Sequence, residues 1–327
     1  MEKKRILSGM RPTGRLHMGN LHGALLNWVK LQDEYQCFYF VADWHALTTD
    51  YEQTEGIREN IWFMFIDWLS VGLDPQKSTL FVQSALPEHA ELFLLFSMIT
   101  PITWLERNPT YKEQLQELSH KDLRTFGFLG YPVLQAADIL MYKANGVPVG
   151  VDQLPHVELT REIARRCNFL YGKIFPEPEA LLTEIPKLCG TDGRKMSKSY
   201  QNCIYLSDTP EAIRKQVSGM ITDTQRPRRQ DPGDPDRCLA FPYHKLYLST
   251  DILAQIVVDC RAARLGCVEC KKMLADALVQ ALEPIQARQH YYLDHPEEVR
   301  AIIADGNERA RTVARATMAE VREAIKI

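Results

Sequence analysis

Four short strand-like runs, separated by stretches with helical spacing, constrain the fold of this chain more than any other feature. They are KRILSG (4–9), CFYFVA (37–42), TLFVQS (79–84) and VPVG (147–150). Between them lie a helix expected from about residue 19 to 34, an amphipathic helix around 55–70, and YPVLQAADILMYKA (131–144). Strands alternating with helices favour right-handed crossovers, and hence a mostly parallel, doubly wound sheet. Ligands on such sheets sit beyond the carboxyl ends of the strands, which is where the turn MRPTGRLHMGN (10–20) is expected. From about Tyr243 onward the pattern is almost entirely helical.

The fold class read from this is α/β: a Rossmann-like doubly wound parallel sheet with a C-terminal all-helical domain. At 327 residues the chain is long enough for two domains, each with its own core. The boundary is expected within 190–202, giving one domain over 1–192 and another over 193–327, with the C-terminal helix available to pack back on the first. With 45% hydrophobic and 25% charged residues, the composition is that of a globular protein and excludes disorder or a fibre. The apolar run LFLLFSMI (92–99) is too short to span a bilayer, and the N-terminus lacks a signal-peptide core. A cytoplasmic location is therefore expected, where eight cysteines read as free, catalytic or metal-bound. A net charge of -3 argues against a chain coated in nucleic acid, while leaving room for a local basic face.

Two motifs carry chemistry. KMSKS (Lys195, Met196, Ser197, Lys198, Ser199) follows Gly193 in a flexible segment, so its two lysines can swing onto a polyphosphate and neutralise a leaving pyrophosphate. A solvated basic loop is the bland alternative. LHMGN (16–20) sits after the first strand at a helix start. There His17 can donate a hydrogen bond, Gly19 lets a ligand approach the backbone, and the helix N-terminus attracts an anion. His17 alone reads equally well as a helix cap.

Together, LHMGN and KMSKS resemble the two signatures of class I aminoacyl-tRNA synthetases, HIGH and KMSKS, with Asn20 in place of the final histidine. The stretches SGMRPTG (8–14), VADWHALTT (41–49), YPVLQAADIL (131–140), VPVGVDQLPHVELTREIARR (147–166) and GTDGRKMSKS (190–199) resemble the bacterial tryptophanyl-tRNA synthetases, over nearly the whole chain. The resemblance implies that the chain charges tRNA(Trp) with L-tryptophan through an adenylate, using ATP with Mg²⁺. Residues 1–192 would then bind ATP and tryptophan, and 193–327 would carry the KMSKS loop and the anticodon-binding helices. It further implies that Asp138 accepts the indole N–H, that Tyr131 and Gln153 hold the amino-acid head group, and that His45 lines the same pocket. Arg11, Pro12, Thr13, Gly19, Asn20, Gly150 and Asp152 would face ATP, with Lys195, Met196, Ser197, Lys198 and Ser199 at its phosphates. Lys195, Lys198 and His17 would be the catalytic set. A buried acceptor left unpaired by a phenyl ring discriminates better than apolar contact alone, which agrees with the role implied for Asp138. By spacing alone, Asp138 could equally lie on the wet face of an amphipathic helix. The segment TYKEQLQEL (110–118) carries Gln114 where other bacterial members have a phosphate-linked lysine, and Lys112 is its nearest substitute.

Basic clusters at Arg226, Arg228 and Arg229, at Arg261 and Arg264, and at Lys271 and Lys272 read either as solvated faces or as phosphate contacts to an anticodon loop. The resemblance adds a homodimer; neither DNA nor membrane is expected as a partner. Cys37 and Cys167 read as core thiols. Cys238, Cys260, Cys267 and Cys270, with 21, six and two residues between them, read as a four-thiolate metal site. General prevalence points to Zn²⁺, although an iron-sulfur cluster also takes four thiolates. Some bacterial tryptophanyl-tRNA synthetases carry a [4Fe-4S] cluster on a similar pattern, and that resemblance implies the same here. Tyrosyl-tRNA synthetases share the fold and signatures, and a catalytically dead RNA-binding regulator is the alternative outside enzymes.

Overall fold

The computed structural model describes residues 3–117, 122–182, 188–196 and 200–327. In chain order the elements are β1 (Arg5–Met10), α1 (Met18–Asn20), a π-helical turn (Leu21–Leu25), α2 (Leu26–Glu34), β2 (Gln36–Val41), α3 (Asp43–Asp50), α4 (Ile57–Val71) and β3 (Ser78–Val82). Then come α5 (Glu88–Ile99), α6 (Ile102–Glu106), α7 (Pro109–Glu117), α8 (Phe126–Met141), β4 (Gly146–Val149), α9 (Leu154–Tyr171) and β5 (Glu179–Leu182). The rest is α10 (Pro210–Gly219), α11 (Phe241–Tyr247), α12 (Thr250–Arg261), α13 (Cys267–Asp294) and α14 (Pro296–Ile325). These form two compact units, one within Met1–Gly14, Asn27–Glu184 and His295–Ile327, the other within Arg15–Leu26 and Ile185–Asp294.

The first unit is the parallel doubly wound sheet that the alternation of runs demands. Its strand order is β3-β2-β1-β4-β5, and every described pairing is parallel, from Arg5 opposite Gln36 to Met10 opposite Val41. Strands covered on both faces read as continuous apolar runs, and β2 and β3 are buried along nearly their whole length. The fifth strand, EALL, is partly exposed and lacks β-branched residues, so nothing in its composition announces it. The sheet reverses direction of growth between β1 and β4, which makes their carboxyl ends the topological switch point.

An edge strand presents unpaired backbone groups that must be covered. At the β3 edge this is done by α14. Asn307 Oδ1 accepts the Val82 N–H at 2.9 Å, Arg309 donates to the carbonyls of Pro75 and Ser78, and Arg311 donates to that of Ala85. Gly306 makes the approach possible: a Cβ there would lie 1.8 Å from the Leu80 carbonyl oxygen.

The second unit is helical. Ile213 and Val217, one turn apart on α10, are buried, and α10 packs along α13, whose Leu274, Leu278 and Leu282 form a matching buried stripe. Thr209 caps α10 by accepting the Ala212 N–H at 3.2 Å.

Because the obstacle at Gly306 is backbone and cannot rotate away, Gly306→Ala is expected to destabilise the protein by about 3 kcal/mol. Urea denaturation measures this; a loss under about 1 kcal/mol would mean that α14 does not seat against Leu80.

Candidate active site

In the first unit the strand ends bring the sequence-predicted residues to one side of the sheet. Arg11, Pro12 and Thr13 follow β1, with the Thr13 N–H donating to the Arg11 carbonyl at 2.8 Å. Gly150, Asp152 and Gln153 follow β4, and Gln153 Nε2 donates to Asp152 Oδ2 at 2.9 Å. Both segments thus flank the switch point, the place where doubly wound sheets bind ligands.

Asp138 is fully buried on α8, contrary to the wet-face alternative. Three side chains donate to it. His45 Nε2 reaches Oδ2 at 2.7 Å, His89 Nδ1 reaches Oδ1 at 2.7 Å, and Gln83 Nε2 reaches both oxygens at 2.9 Å. Burial by itself raises this carboxyl, yet the hydrogen bonds and charge of His45 and His89 hold it below the usual carboxylate range. Each donor is itself fixed. The Trp44 N–H donates to Gln83 Oε1 at 3.1 Å, and Tyr142 Oη lies 2.8 Å from His89 Nε2. Gln83 and His89 are completely buried, whereas His45 keeps 12% of its side-chain surface exposed. The ring of His45 is therefore the one donor to Asp138 that faces open space.

Tyr131 lies seven residues before Asp138 on the same helix, hence on the same face and about 10 Å away along the axis. A second buried chain holds it. The Thr110 N–H donates to Asn108 Oδ1 at 3.0 Å, which turns Asn108 Nδ2 towards His156 Nδ1 at 3.1 Å. His156 Nε2 then carries the proton and donates to Tyr131 Oη at 3.0 Å. Burial, with a smaller contribution from the charge of His45, pushes His156 down to about 4. The imidazole is therefore neutral at physiological pH. Lys112 is exposed on α7, while the side chain of Gln114 lies outside the described residues.

In the second unit, HMGN closes as a reciprocal cap. His17 Nδ1 accepts the Gly19 N–H at 3.1 Å and Asn20 Oδ1 accepts the His17 N–H at 3.0 Å. His17 Nε2 is thereby the protonated nitrogen of the neutral ring. Asn20 thus has a structural task that the sequence reading did not supply. A Cβ on Gly19 would meet the His17 ring at 2.9 Å and the Met196 sulfur at 3.2 Å, so the two motifs adjoin. Lys195 is exposed at the end of a tight hairpin in which Cys189 and Lys195 form an antiparallel bridge. Asn202 Nδ2 donates both to the Lys195 carbonyl at 3.1 Å and to Asp192 Oδ1 at 2.7 Å. That bond, with those from Arg194, brings Asp192 down to about 2. Ser197, Lys198 and Ser199 lie outside the described residues.

Cys238, Cys260, Cys267 and Cys270 line one small cavity together with Arg226, Asp223 and Lys271. Arg226 is buried, with Nη1 3.8 Å from Cys267 Sγ and 4.0 Å from Cys260 Sγ, and it donates to the carbonyls of Leu265 and Arg229. It is thus a support of the cavity, while Arg228, Arg229, Arg261, Arg264 and Lys272 are exposed. His244 Nε2 lies 3.2 Å from Cys270 Sγ. Burial, reinforced by the charges of the other three cysteines, pushes the Cys270 thiol to about 12. Among the described residues no group of three or more His, Cys, Asp or Glu side chains is arranged to hold a metal ion.

The chain is similar to known proteins. The chain matches the family "tRNA synthetases class I (W and Y)" over residues 1–283. It is 54% identical to the tryptophan–tRNA ligase of Thermotoga maritima, with 99% of each chain covered. To the tryptophan–tRNA ligase of Aquifex aeolicus it is 49% identical, covering 99% of this chain and 100% of that one. Its fold is similar to a crystal structure of Campylobacter jejuni tryptophanyl-tRNA synthetase complexed with ADP and tryptophan, with a TM-score of 0.89 at 34% identity and coverage of 99% and 100%.

His156 supplies a pH signature. Its folded value of about 4 lies below the ordinary 6.5, so the unfolded chain binds the extra proton between those values. This contribution to stability is complete above pH 6.5 and is lost as pH falls towards 4. Between pH 7.5 and pH 5, wild-type protein should lose about 2 kcal/mol more stability than His156→Gln. Chemical denaturation at both pH values reads the difference, and equal losses would place His156 in a wetter site.

Proposed function

We infer the function from kinship: the chain belongs to the class I tRNA synthetases of the tryptophan and tyrosine family, and it is a tryptophan–tRNA ligase. It attaches L-tryptophan to tRNA(Trp) in two steps. A carboxylate oxygen of tryptophan attacks the α-phosphorus of ATP; the new O–P bond gives tryptophanyl-adenylate, and the bond to pyrophosphate breaks. A hydroxyl of the terminal adenosine of the tRNA then attacks the activated carbonyl, and AMP leaves. No covalent enzyme nucleophile is needed, so positioning and charge stabilisation supply the rate.

The assignment of roles rests on the resemblance of motifs together with the geometry of each unit. Asp138 accepts the indole N–H, and its buried donors support this by keeping it ionised inside an apolar core. His45 lines the same pocket, and Tyr131 and Gln153 hold the amino-acid head group. Arg11, Pro12, Thr13, Gly150 and Asp152 serve ATP from the switch point, and His17, Gly19 and Asn20 serve it from their helix start. Lys195 and Lys198 neutralise the departing pyrophosphate, with Met196, Ser197 and Ser199 in the same loop. Mg²⁺ bound to the phosphates shares that charge.

We further propose that the four cysteines hold a [4Fe-4S] cluster, with Zn²⁺ as the alternative, near basic residues that meet the anticodon. The thiols line a common cavity with a buried guanidinium beside them, and Gly233 leaves space there, since a Cβ would come 2.6 Å from Cys260 Sγ. Such a cluster would tie the segment of Cys238 to α12 and α13. A homodimer is supported by apolar side chains exposed on the first unit: Leu94 and Met98, one turn apart on α5, are 54% and 70% exposed, and Ile102 is 61% exposed. No described helix is long and apolar enough to cross a membrane.

Amino-acid-dependent pyrophosphate exchange on anaerobically purified protein tests the reading. Tryptophan should support exchange and tyrosine should not, and Lys195→Ala should slow exchange by about a hundredfold or more while tryptophan affinity holds. Exchange with tyrosine, or near wild-type exchange in the variant, would overturn the assignment. The same sample should be brown and contain iron; a colourless, zinc-loaded protein would replace the cluster with zinc.

A further inference from the structure

Within the second unit, the hairpin that ends in Lys195 leans on one short stretch of chain. Tyr243, on α11 and almost wholly buried, donates its hydroxyl to the Cys189 carbonyl at 2.6 Å. Cys189 is the residue bridged to Lys195 across the hairpin. At the hairpin tip, Gly193 takes a φ of +83°, and a Cβ there would come 2.9 Å from the Leu239 side chain. A left-handed residue without a Cβ lets the turn sit directly on that leucine. The base and the tip of the hairpin are therefore both supported from the stretch 239–243. Further hydrogen bonds that shape the hairpin come from within it, from Asn202 and from Ile221: Gly190 N–H donates to the Arg194 carbonyl at 2.7 Å, Thr191 N–H donates to the Asn202 carbonyl at 3.0 Å, and Ile221 N–H donates to the Thr191 carbonyl at 2.9 Å.

Burial raises the Tyr243 phenol well above its ordinary value, so the hydroxyl is a permanent donor. Removing it leaves a part-buried carbonyl without that partner while the ring still fills its space. The next polar side chains along α11 have other tasks: His244 lies against Cys270, and Tyr247 Oη lies 2.5 Å from His22 Nε2. Tyr247 therefore offers a control on the same helix that does not touch the hairpin.

We propose that Tyr243 and Leu239 are positioning residues for Lys195, acting by fixing the hairpin from Cys189 to Lys195 in the arrangement that meets the ATP phosphates. This rests on Lys195 serving ATP, as proposed above. Neither residue is assigned a contact with substrate.

The test uses full-length protein and Tyr243→Phe, Leu239→Ala and Tyr247→Phe. Limited trypsin digestion cleaves after Arg194 and Lys195 and so reads opening of the hairpin without any need for activity. Loss of the Tyr243 hydrogen bond should speed that cleavage about fivefold, and Leu239→Ala should speed it as well. Tyr247→Phe should leave it at the wild-type rate. In pyrophosphate exchange, Tyr243→Phe should raise the KM for ATP while tryptophan affinity, read by fluorescence titration, stays at wild type. Wild-type cleavage and wild-type ATP KM in Tyr243→Phe overturn the proposal. So does faster cleavage in Tyr247→Phe, or a tryptophan affinity that falls in step with ATP, since either marks a general loosening of α11. If wild-type protein shows no tryptophan-dependent exchange, the functional reading fails on its own, and digestion still decides whether Tyr243 and Leu239 fix the hairpin.

Discussion

The first unit is organised around one charged group placed where charge is expensive. A carboxylate buried at Asp138 survives as an anion only because His45, His89 and Gln83 surround it with donors. Those donors come from α3, from α5 and from the end of β3, so holding the charge also fixes three elements against α8. Tyr142 and the Trp44 N–H complete the shell, leaving its buried members little freedom to turn. The exposed edge of His45 is the point at which a ligand N–H can compete for the same oxygens. Under the role proposed for Asp138, the pocket selects by a hydrogen bond, in a setting where apolar contact would separate indole from phenyl only weakly.

The second unit fixes the described parts of the two motifs for which phosphate binding is proposed. HMGN is locked by its own reciprocal cap, and the Lys195 hairpin by Asn202, Gly193 and the stretch that follows Cys238. The four cysteines border that same stretch. The cavity lined by the thiols and the hairpin that carries Lys195 therefore share a segment of backbone.

The sheet was legible because most of its strands are short apolar runs separated by helical spacing, a pattern set by local residues. β5 was not, since EALL gains its place from pairing with β4 rather than from propensity. HMGN and KMSKS were legible as motifs, and a cap was one reading of His17, but the return bond to Asn20 was not foreseen. Asp138 could be singled out through resemblance, but spacing could not tell a buried carboxylate from a solvated one. Gln83, His89, Asn108, His156 and Tyr243 gave no signal because each acts through partners distant in sequence. The residue pairs 83 with 138 and 189 with 243 leave no local signature. A polar residue just beyond the end of an apolar strand, as Gln83 is, was the one available hint.

The central claim, that Asp138 recognises the indole N–H, is tested most directly by calorimetry with tryptophan and with 3-(benzothiophen-3-yl)alanine, in which sulfur replaces that N–H at nearly the same size. Asp138 left facing sulfur should weaken binding about a hundredfold. Equal affinities would contradict the account and would move recognition of the side chain to the apolar walls of the pocket.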